Sequence, residues 1–238
     1  MNKTRIAAIG DIHMNKEVAG TFRKLFDEIS QKAQVLVISG DLTAHGHEEE
    51  AKILARELSY CKIPVVGVLG NHDYENGRQE EIRKILSATG MFILEEEPHV
   101  INKIGFVGTK GFGGGFDNHM LGMFGEKAIK QFVQESISET LKLENALLKL
   151  TTEKKIVVLH YSPIRQTVEG EAREIYPFLG SSRLVEPIDN FNVTAVFHGH
   201  AHSGTLEGKT LKGIPVYNVA LPLRKRLNKK QPYVLIEV

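Results

Sequence analysis

Short apolar runs rich in valine and isoleucine alternate with stretches of helical periodicity between residues 5 and 88. Runs of this length are typical of strands buried on both faces, and strand–helix alternation predicts parallel neighbours joined by right-handed crossovers. The predicted strands are RIAAIG, VLVIS (35–39) and PVVGVL (64–69), and the predicted helices span about 17–31, 48–60 and 78–88. The chain is therefore expected to adopt an α/β fold.

The remainder of the sequence continues this pattern with more strands. Segments at 92–94, 99–101 and 104–107 are close enough together to predict antiparallel hairpins, so we expect a mixed sheet. A glycine-rich loop at 108–126 precedes a long amphipathic helix that ends near Leu150. Further strands are predicted at 155–160, 193–198, 213–220 and 233–238. Because there is no internal repeat or low-complexity tract, we interpret residues 1–238 as a single domain.

The composition is that of an ordinary globular protein and limits the classes of partner. The chain has 238 residues, of which 42% are hydrophobic and 25% charged, and its net charge of +1 provides no overall field for nucleic acid or anionic membrane. A lone cysteine, Cys61, excludes an internal disulfide and suits a reducing compartment. No stretch approaches the ~18 apolar residues of a membrane helix. We expect a cytoplasmic protein with no membrane partner; its oligomeric state is left open.

Polar residues follow five of the predicted strands, each at the point where the strand ends. In open α/β sheets, ligands bind beyond the carboxyl ends of the strands, so these side chains can converge although they are far apart in sequence. Carboxylate, amide and imidazole groups together suit Mn²⁺, Fe or Zn²⁺. Glycines at 10, 40, 70 and 199 would let the backbone approach such a site closely. The polar residues are Asp11, His13, Asp41, Asn71, His72, Asp73, His160, His198, His200 and His202.

The order D-x-H, GD, GNHD, H, GHxH resembles the pattern of the calcineurin-like metallophosphoesterases across Ile6 to His202. The resemblance is to the small bacterial type of phosphodiesterase or phosphatase. It implies a four-layer α/β/β/α sandwich of mixed sheets flanked by helices, and a site for two divalent metal ions (Mn²⁺, Fe²⁺/Fe³⁺ or Zn²⁺). By this resemblance, Asp11, His13 and His202 hold the first metal, Asn71, His160 and His200 hold the second, and Asp41 bridges both.

The same resemblance implies hydrolysis of a phosphoester by in-line attack of a metal-bridging hydroxide. His72 is the expected catalytic residue, which protonates the leaving oxygen or stabilises its charge, and Asn71 is also expected to bind substrate. Asp73 is predicted to orient the His72 imidazole, with a role in the turn as the alternative. Strand geometry adds that the outer residues of D-x-H and H-x-H can point the same way if these segments stay extended. His198 lies outside the family pattern and is predicted to be a hydrogen-bonded residue at a strand end.

Three further features have two interpretations each. Arg165 is a candidate for binding the substrate phosphate, or it is a solvated surface residue. Phe112 and Phe116 in the glycine-rich loop either cover the substrate or join the core. The basic segment at 224–230 contacts phosphates or is a solvated turn between strands.

The leading functional hypothesis is a phosphoesterase that acts on a small phosphodiester or phosphomonoester, such as a cyclic nucleotide. A nuclease of the same fold is the first alternative, and the nearly neutral charge disfavours nucleic acid as a partner without excluding it. The second is a non-catalytic protein-binding scaffold. That alternative predicts lost ligands, whereas all seven expected positions carry ligand-competent residues.

Overall fold

A computed structural model of the protein describes residues 3–238 and contains two β-sheets. The central strands of both sheets are almost entirely apolar and buried, which is why they lie between other layers, whereas the edge strands are partly exposed. The strands are β1 (Arg5–Ile9), β2 (Val35–Ser39), β3 (Val65–Val68), β4 (Phe92–Ile93), β5 (His99–Ile101), β6 (Ile104–Thr109), β7 (Lys154–Leu159), β8 (Ala195–His198), β9 (Glu207–Lys209), β10 (Pro215–Asn218) and β11 (Val234–Glu237).

Both sheets are mixed, as predicted. The first has the order β11-β1-β2-β3-β4, in which β1 to β4 are parallel and β11 pairs antiparallel with β1. The second has the order β5-β6-β7-β8-β10-β9, with a parallel centre and an antiparallel strand at each edge. The parallel strands of each sheet therefore direct their carboxyl ends to one edge.

Helices cover the outer face of each sheet. The longest helix ends at Leu148, close to the predicted end near Leu150. The helices are α1 (Arg23–Lys32), α2 (Glu48–Leu58), α3 (Asn71–Tyr74), α4 (Gln79–Ser87), α5 (Lys127–Leu148), α6 (Tyr176–Leu179), α7 (Val185–Asn190) and α8 (Leu221–Arg226), with short 3₁₀ turns at Asp117–His119, Arg165–Val168, Arg173–Ile175 and Ser182–Leu184. No helix within residues 3–238 is both long and apolar enough to cross a lipid bilayer.

Side-chain alternation along the strands builds the four layers. In β1, Ile6 and Ala8 face the second sheet, where they pack with Phe106, Val158 and other residues of its inner face. Ala7 and Ile9 face the opposite way and pack against α1, α2 and α4. The outer face of the second sheet packs against α5 and α7. The predicted α/β/β/α sandwich is thereby confirmed.

Several element predictions were wrong in direction or bounds. Residues 92–93 do not form a hairpin; helix α4 carries the chain across the sheet, so β4 returns parallel to β3. Helix α1 starts at Arg23 rather than Glu17, because the Asn15 side chain accepts hydrogen bonds from the N–H groups of Glu17 and Val18 and holds a turn. The basic segment begins in helix α8 and is not wholly a turn.

Candidate metal centre

The polar residues that follow β1, β2, β3, β7 and β8 converge at the carboxyl edges of the two sheets. Their potential ligand atoms fall into three groups, and within each group all atoms lie within 4.8 Å of one another. Strands β1, β2 and β3 belong to the first sheet and β7 and β8 to the second, so the centre forms where the two edges meet. The groups are Asp11, His13 and His202; His13, Asp41 and His72; and Asp41, His160 and His200.

Asp11 organises the first group. Its carboxylate is 1% exposed and accepts hydrogen bonds from the backbone N–H of His200 at 3.0 and 3.1 Å. His202 Nε2 lies 2.9 Å from Asp11 Oδ1. His13 Nε2 is buried and has no hydrogen-bond partner. A buried, unpaired imidazole nitrogen beside two carboxylates is unfavourable unless a further group, such as a cation, fills the space.

Asp41 belongs to both of the other groups. Its Oδ1 is 3.3 Å from His160 Nε2, and its Oδ2 is 3.8 Å from His13 Nε2 and 4.0 Å from His72 Nε2. The backbone N–H of His72 donates to Oδ1 at 3.0 Å and holds the carboxylate in place. The two oxygens of one buried carboxylate therefore face different histidines.

The Nε2 atom of His160 is a hydrogen-bond acceptor that faces two other acceptors. Its Nδ1 donates to the Ser39 carbonyl at 3.0 Å, which fixes the tautomer and leaves a lone pair on Nε2. That lone pair faces Asn71 Oδ1 at 2.8 Å as well as Asp41 Oδ1. Three acceptors at such distances repel one another unless a cation lies among them. His200 Nε2 similarly donates to the Phe178 carbonyl at 3.2 Å, leaving Nδ1 for the centre.

The electrostatics of the centre also fit a divalent cation. Burial, together with the charges of Asp11 and Asp73, raises the pKa of Asp41 to about 9. Burial lowers the pKa of His13 to about 4, and burial with the nearby His160 lowers that of His200 to about 3. Neutral imidazoles are the form that binds metals, and clustered buried carboxylates need a compensating positive charge. The donor set present therefore fits metal ions.

Four of the predicted ligands have left-handed backbones. The φ angles of Asp11, His13, Asp41 and His200 lie between 46° and 68°. The D-x-H and H-x-H segments are therefore not extended, and turns bring the side chains together instead. This conformation costs roughly 1–2 kcal/mol per non-glycine residue, and such strain persists mainly at functional sites.

Glycines next to the ligands permit close approach, as predicted. A Cβ added at Gly70 would overlap the Asp41 carboxylate, and one at Gly199 would overlap the carboxylate of Asp11. Substitution of either glycine would displace a candidate ligand.

Asp73 does not contact the imidazole of His72, so the prediction that it orients this ring is corrected. The Asp73 carboxylate accepts from the N–H groups of Leu42 (3.1 Å), Thr43 (2.8 Å) and Gly70 (2.8 Å), and from the Thr43 hydroxyl (2.6 Å). It therefore ties the turn after β2 to the turn after β3, which is the alternative role. These two turns carry Asp41 and Asn71.

The imidazole of His72 is oriented by a backbone group that the sequence did not reveal. Its Nδ1 donates to the Ala44 carbonyl at 2.6 Å. This hydrogen bond leaves Nε2 on the side of Asp41 Oδ2, in a side chain that is 39% exposed. An exposed Nε2 beside the centre is free to exchange a proton with a substrate.

His198 is fully buried and hydrogen-bonded at the end of β8, as predicted. Its Nδ1 donates to the Gly199 carbonyl and its Nε2 accepts from the Thr167 hydroxyl, both at 2.8 Å. Thr167 and Asn218, whose side chain donates to the Ala201 carbonyl at 2.8 Å, were missed from the sequence. Their roles depend on distant packing, and no local pattern signals them.

His198→Gln is expected to retain both metal ions, whereas His200→Gln is expected to lose one of them. Both ring nitrogens of His198 are already used in hydrogen bonds, but His200 directs Nδ1 to the centre. Metal content of the purified variants by mass spectrometry checks this difference. Equal metal loss in the two variants would show that the histidine cluster has been misassigned.

Arg165 and the two phenylalanines of the glycine-rich loop, Phe112 and Phe116, have no described contact with a candidate ligand. Arg165 is exposed and faces Glu169 at 3.9 Å, and none of its described contacts involves a candidate ligand, which favours the surface interpretation. In the loop, Phe116 is buried and joins a small core cluster. Phe112 is half-buried and packs against Phe132 and Tyr161. Tyr161, which the sequence analysis passed over, directly follows a candidate ligand.

Residues 4–204 match the family model described as calcineurin-like phosphoesterase. The chain is 25% identical over 206 residues to a probable glycerophosphodiester phosphodiesterase, GpdQ, of Arcobacter nitrofigilis. The match covers 84% of this chain and 69% of that protein.

Solved structures share the fold at low sequence identity. The phosphopantetheinyl hydrolase of Mycobacterium tuberculosis superposes with a TM-score of 0.73 at 13% identity, covering 98% of this chain and 96% of that one. A protein of Thermus thermophilus superposes with a TM-score of 0.58 at 16% identity, covering 100% and 99% of the two chains.

Proposed function

This chain belongs to the calcineurin-like phosphoesterase family, and we propose that it is a dinuclear metal-dependent hydrolase of a small phosphodiester or phosphomonoester. The observation that carries the proposal is the Asp41 carboxylate, whose two oxygens face His160 on one side and His13 on the other. The similarity to a glycerophosphodiester phosphodiesterase favours a diester, and cyclic nucleotides are among the diesters of suitable size.

The proposed ligands divide as the family resemblance implies. One cation would be held by Asp11, His13 and His202, the other by Asn71, His160 and His200, and Asp41 would contribute to both. This donor set would suit Mn²⁺, Fe or Zn²⁺, which would supply charge neutralisation for phosphoryl oxygens and a water molecule whose pKa is lowered toward ~7. The buried acceptors that face one another around His160 support this assignment.

The side chains of this protein supply positioning and a proton. We assign the Asn71 side-chain NH₂ to a phosphoryl oxygen, since its Oδ1 is directed at His160. Hydroxide, formed when a water molecule at the centre loses one proton to solvent, adds to phosphorus while the P–O bond to the leaving group breaks. His72, protonated on both nitrogens, transfers its Nε2 proton to the departing oxygen and becomes neutral, with Nδ1 kept on the Ala44 carbonyl.

Asp73 acts through the backbone in this proposal. By tying the turn of Asp41 to the turn of Asn71, it keeps ligands of the two cations in register. We also propose that residues 1–238 form one domain, since β11 near the end of the chain pairs with β1 near its start. The proposed location of this domain is the reducing environment of the cytoplasm.

Purified protein is expected to contain about two divalent ions per chain and to hydrolyse bis(p-nitrophenyl) phosphate. Chelation should abolish turnover, and added Mn²⁺ should restore it. A panel of cyclic nucleotides, dinucleotides, glycerophosphodiesters and monoesters would then identify the substrate. Turnover that survives complete metal removal would overturn the proposal.

The same experiment tests the two alternatives. Metal binding without turnover of any phosphoester would favour the scaffold. Preferential cleavage of single- or double-stranded nucleic acid would favour a nuclease, for which the basic residues at the end of α8 would be the first contact to examine.

A further inference from the structure

Four aromatic rings form a continuous chain beside the metal centre. Tyr161 packs against Phe112 at a centroid distance of 5.7 Å, Phe112 against Phe132 at 4.8 Å, and Phe132 against Phe178 at 5.8 Å. We call these four residues the aromatic platform. Tyr161 is buried, Phe112 and Phe132 are half-buried, and Phe178 is 57% exposed, so the platform opens from the centre toward solvent.

The platform is attached to the candidate metal ligands at both ends. The Tyr161 ring lies 4.4 Å from the His200 ring and 5.4 Å from the His160 ring. At the other end, the backbone carbonyl of Phe178 accepts the hydrogen bond from His200 Nε2 at 3.2 Å. Because Tyr161 is buried and Phe178 is exposed, the outer rings are the part of the platform open to a substituent on a phosphoryl group at the centre.

A buried cation holds the inner rings in place. The Lys110 ammonium lies 4.8 Å from the Phe112 ring centroid and 5.5 Å from that of Tyr161. The Lys110 side chain is only 9% exposed, and its Nζ also donates to the Gly111 carbonyl. Cation–π contacts at a buried site fix ring orientation, and preformed surfaces bind ligands with less loss of conformational entropy.

The aromatic platform and His72, the proposed proton donor, adjoin different histidines of the centre. His72 adjoins His13, with ring centroids 4.6 Å apart, and its Nε2 faces Asp41 Oδ2. The platform adjoins His160, which faces Asp41 Oδ1. With the leaving oxygen of a diester toward His72, the platform lies on the His160 side of the centre, where the other ester group can be placed.

We propose that the aromatic platform is a binding subsite for a planar aromatic substituent, such as a nucleobase or an aryl group, on the ester oxygen that stays attached to phosphorus. This inference rests on the proposed phosphoesterase function and adds a substrate class to it. Aromatic rings stack on flat ring systems and gain less from saturated groups of equal size. The product retained at the platform is then a monoester that carries the aromatic group.

Three p-nitrophenyl diesters that share one leaving group test the subsite. Their second ester group is methyl, cyclohexyl or phenyl, and release of nitrophenolate gives kcat/KM for each. The ratio of phenyl to methyl ester, compared between the wild type and a variant, cancels the different intrinsic reactivities. We expect this ratio to fall about tenfold in Phe178→Ala, the size of one lost aromatic pair. Phe178→Leu, which keeps apolar bulk, should show most of the same loss.

A matched control and a binding measurement complete the test. Phe124→Ala removes an 87% exposed phenylalanine outside the platform and should keep the wild-type ratio. In calorimetry, Mn²⁺-loaded protein should bind phenylphosphonate more tightly than methylphosphonate, and Phe178→Ala should reduce that preference.

The outcomes separate this inference from the proposed function. Turnover of all three esters with an unchanged ratio in Phe178→Ala, an equal fall in Phe124→Ala, or equal preference for cyclohexyl and phenyl would each overturn the subsite alone. Absence of turnover with a Phe178-dependent preference for phenylphosphonate would overturn the hydrolase and leave the subsite supported.

Discussion

Asp41→Asn is expected to lose at least one of the two metal ions and at least ~10³-fold in kcat/KM, because metal stabilisation of a phosphoryl transition state amounts to several kcal/mol. Asparagine has nearly the same shape and keeps an oxygen for the hydrogen bond from the His72 N–H. It removes the negative charge that lies between the two ligand groups. Metal content by mass spectrometry and kcat/KM for a phosphodiester measure the two effects.

Asp189→Asn is the matched control for this variant. Asp189 is also a buried carboxylate, but it lies in α7 and accepts a hydrogen bond from the Thr210 hydroxyl. The control should keep both metals and the wild-type turnover. If Asp41→Asn retained two ions and normal activity, the assignment of Asp41 as the shared ligand would be wrong.

His72→Ala is expected to separate substrates by the quality of their leaving groups. Hydrolysis of alkyl or nucleoside esters should slow by about 10²–10⁴-fold, the usual contribution of a positioned general acid. Nitrophenyl esters should be affected much less, since nitrophenolate departs without a proton. Both metal ions should remain bound, because the ligands proposed for them do not include His72.

Two further measurements distinguish proton donation by His72 from positioning of the phosphoryl group. Added imidazole should partly restore alkyl-ester hydrolysis by His72→Ala, since it can supply the missing proton. Burst kinetics check that chemistry limits the rate for both kinds of ester. Equal losses for good and poor leaving groups, with metal content intact, would indicate that His72 positions the phosphoryl group instead.

The sequence by itself predicted the α/β fold and the set of candidate ligands. Strand periodicity is local, so runs such as VLVIS identify buried strands without knowledge of their neighbours. The polar residue at each strand end is equally local, and the order of these residues is what resembles the family. The layered architecture came from the resemblance, because periodicity alone does not say how many sheets the strands form.

Only the tertiary structure decided how those residues are held. The parallel pairing of β4, the ties from Asp73 to the turns of Asp41 and Asn71, and the Ala44 carbonyl beneath His72 all join segments far apart in sequence. The aromatic platform likewise combines residues from the glycine-rich loop, α5 and the segments after β7. Such contacts depend on the direction in which each crossover returns the chain and on which backbone groups packing leaves unpaired. A local sequence pattern specifies neither the direction of a crossover nor the backbone groups that stay unpaired. The candidate ligands could therefore be named from the sequence, but their geometry could not.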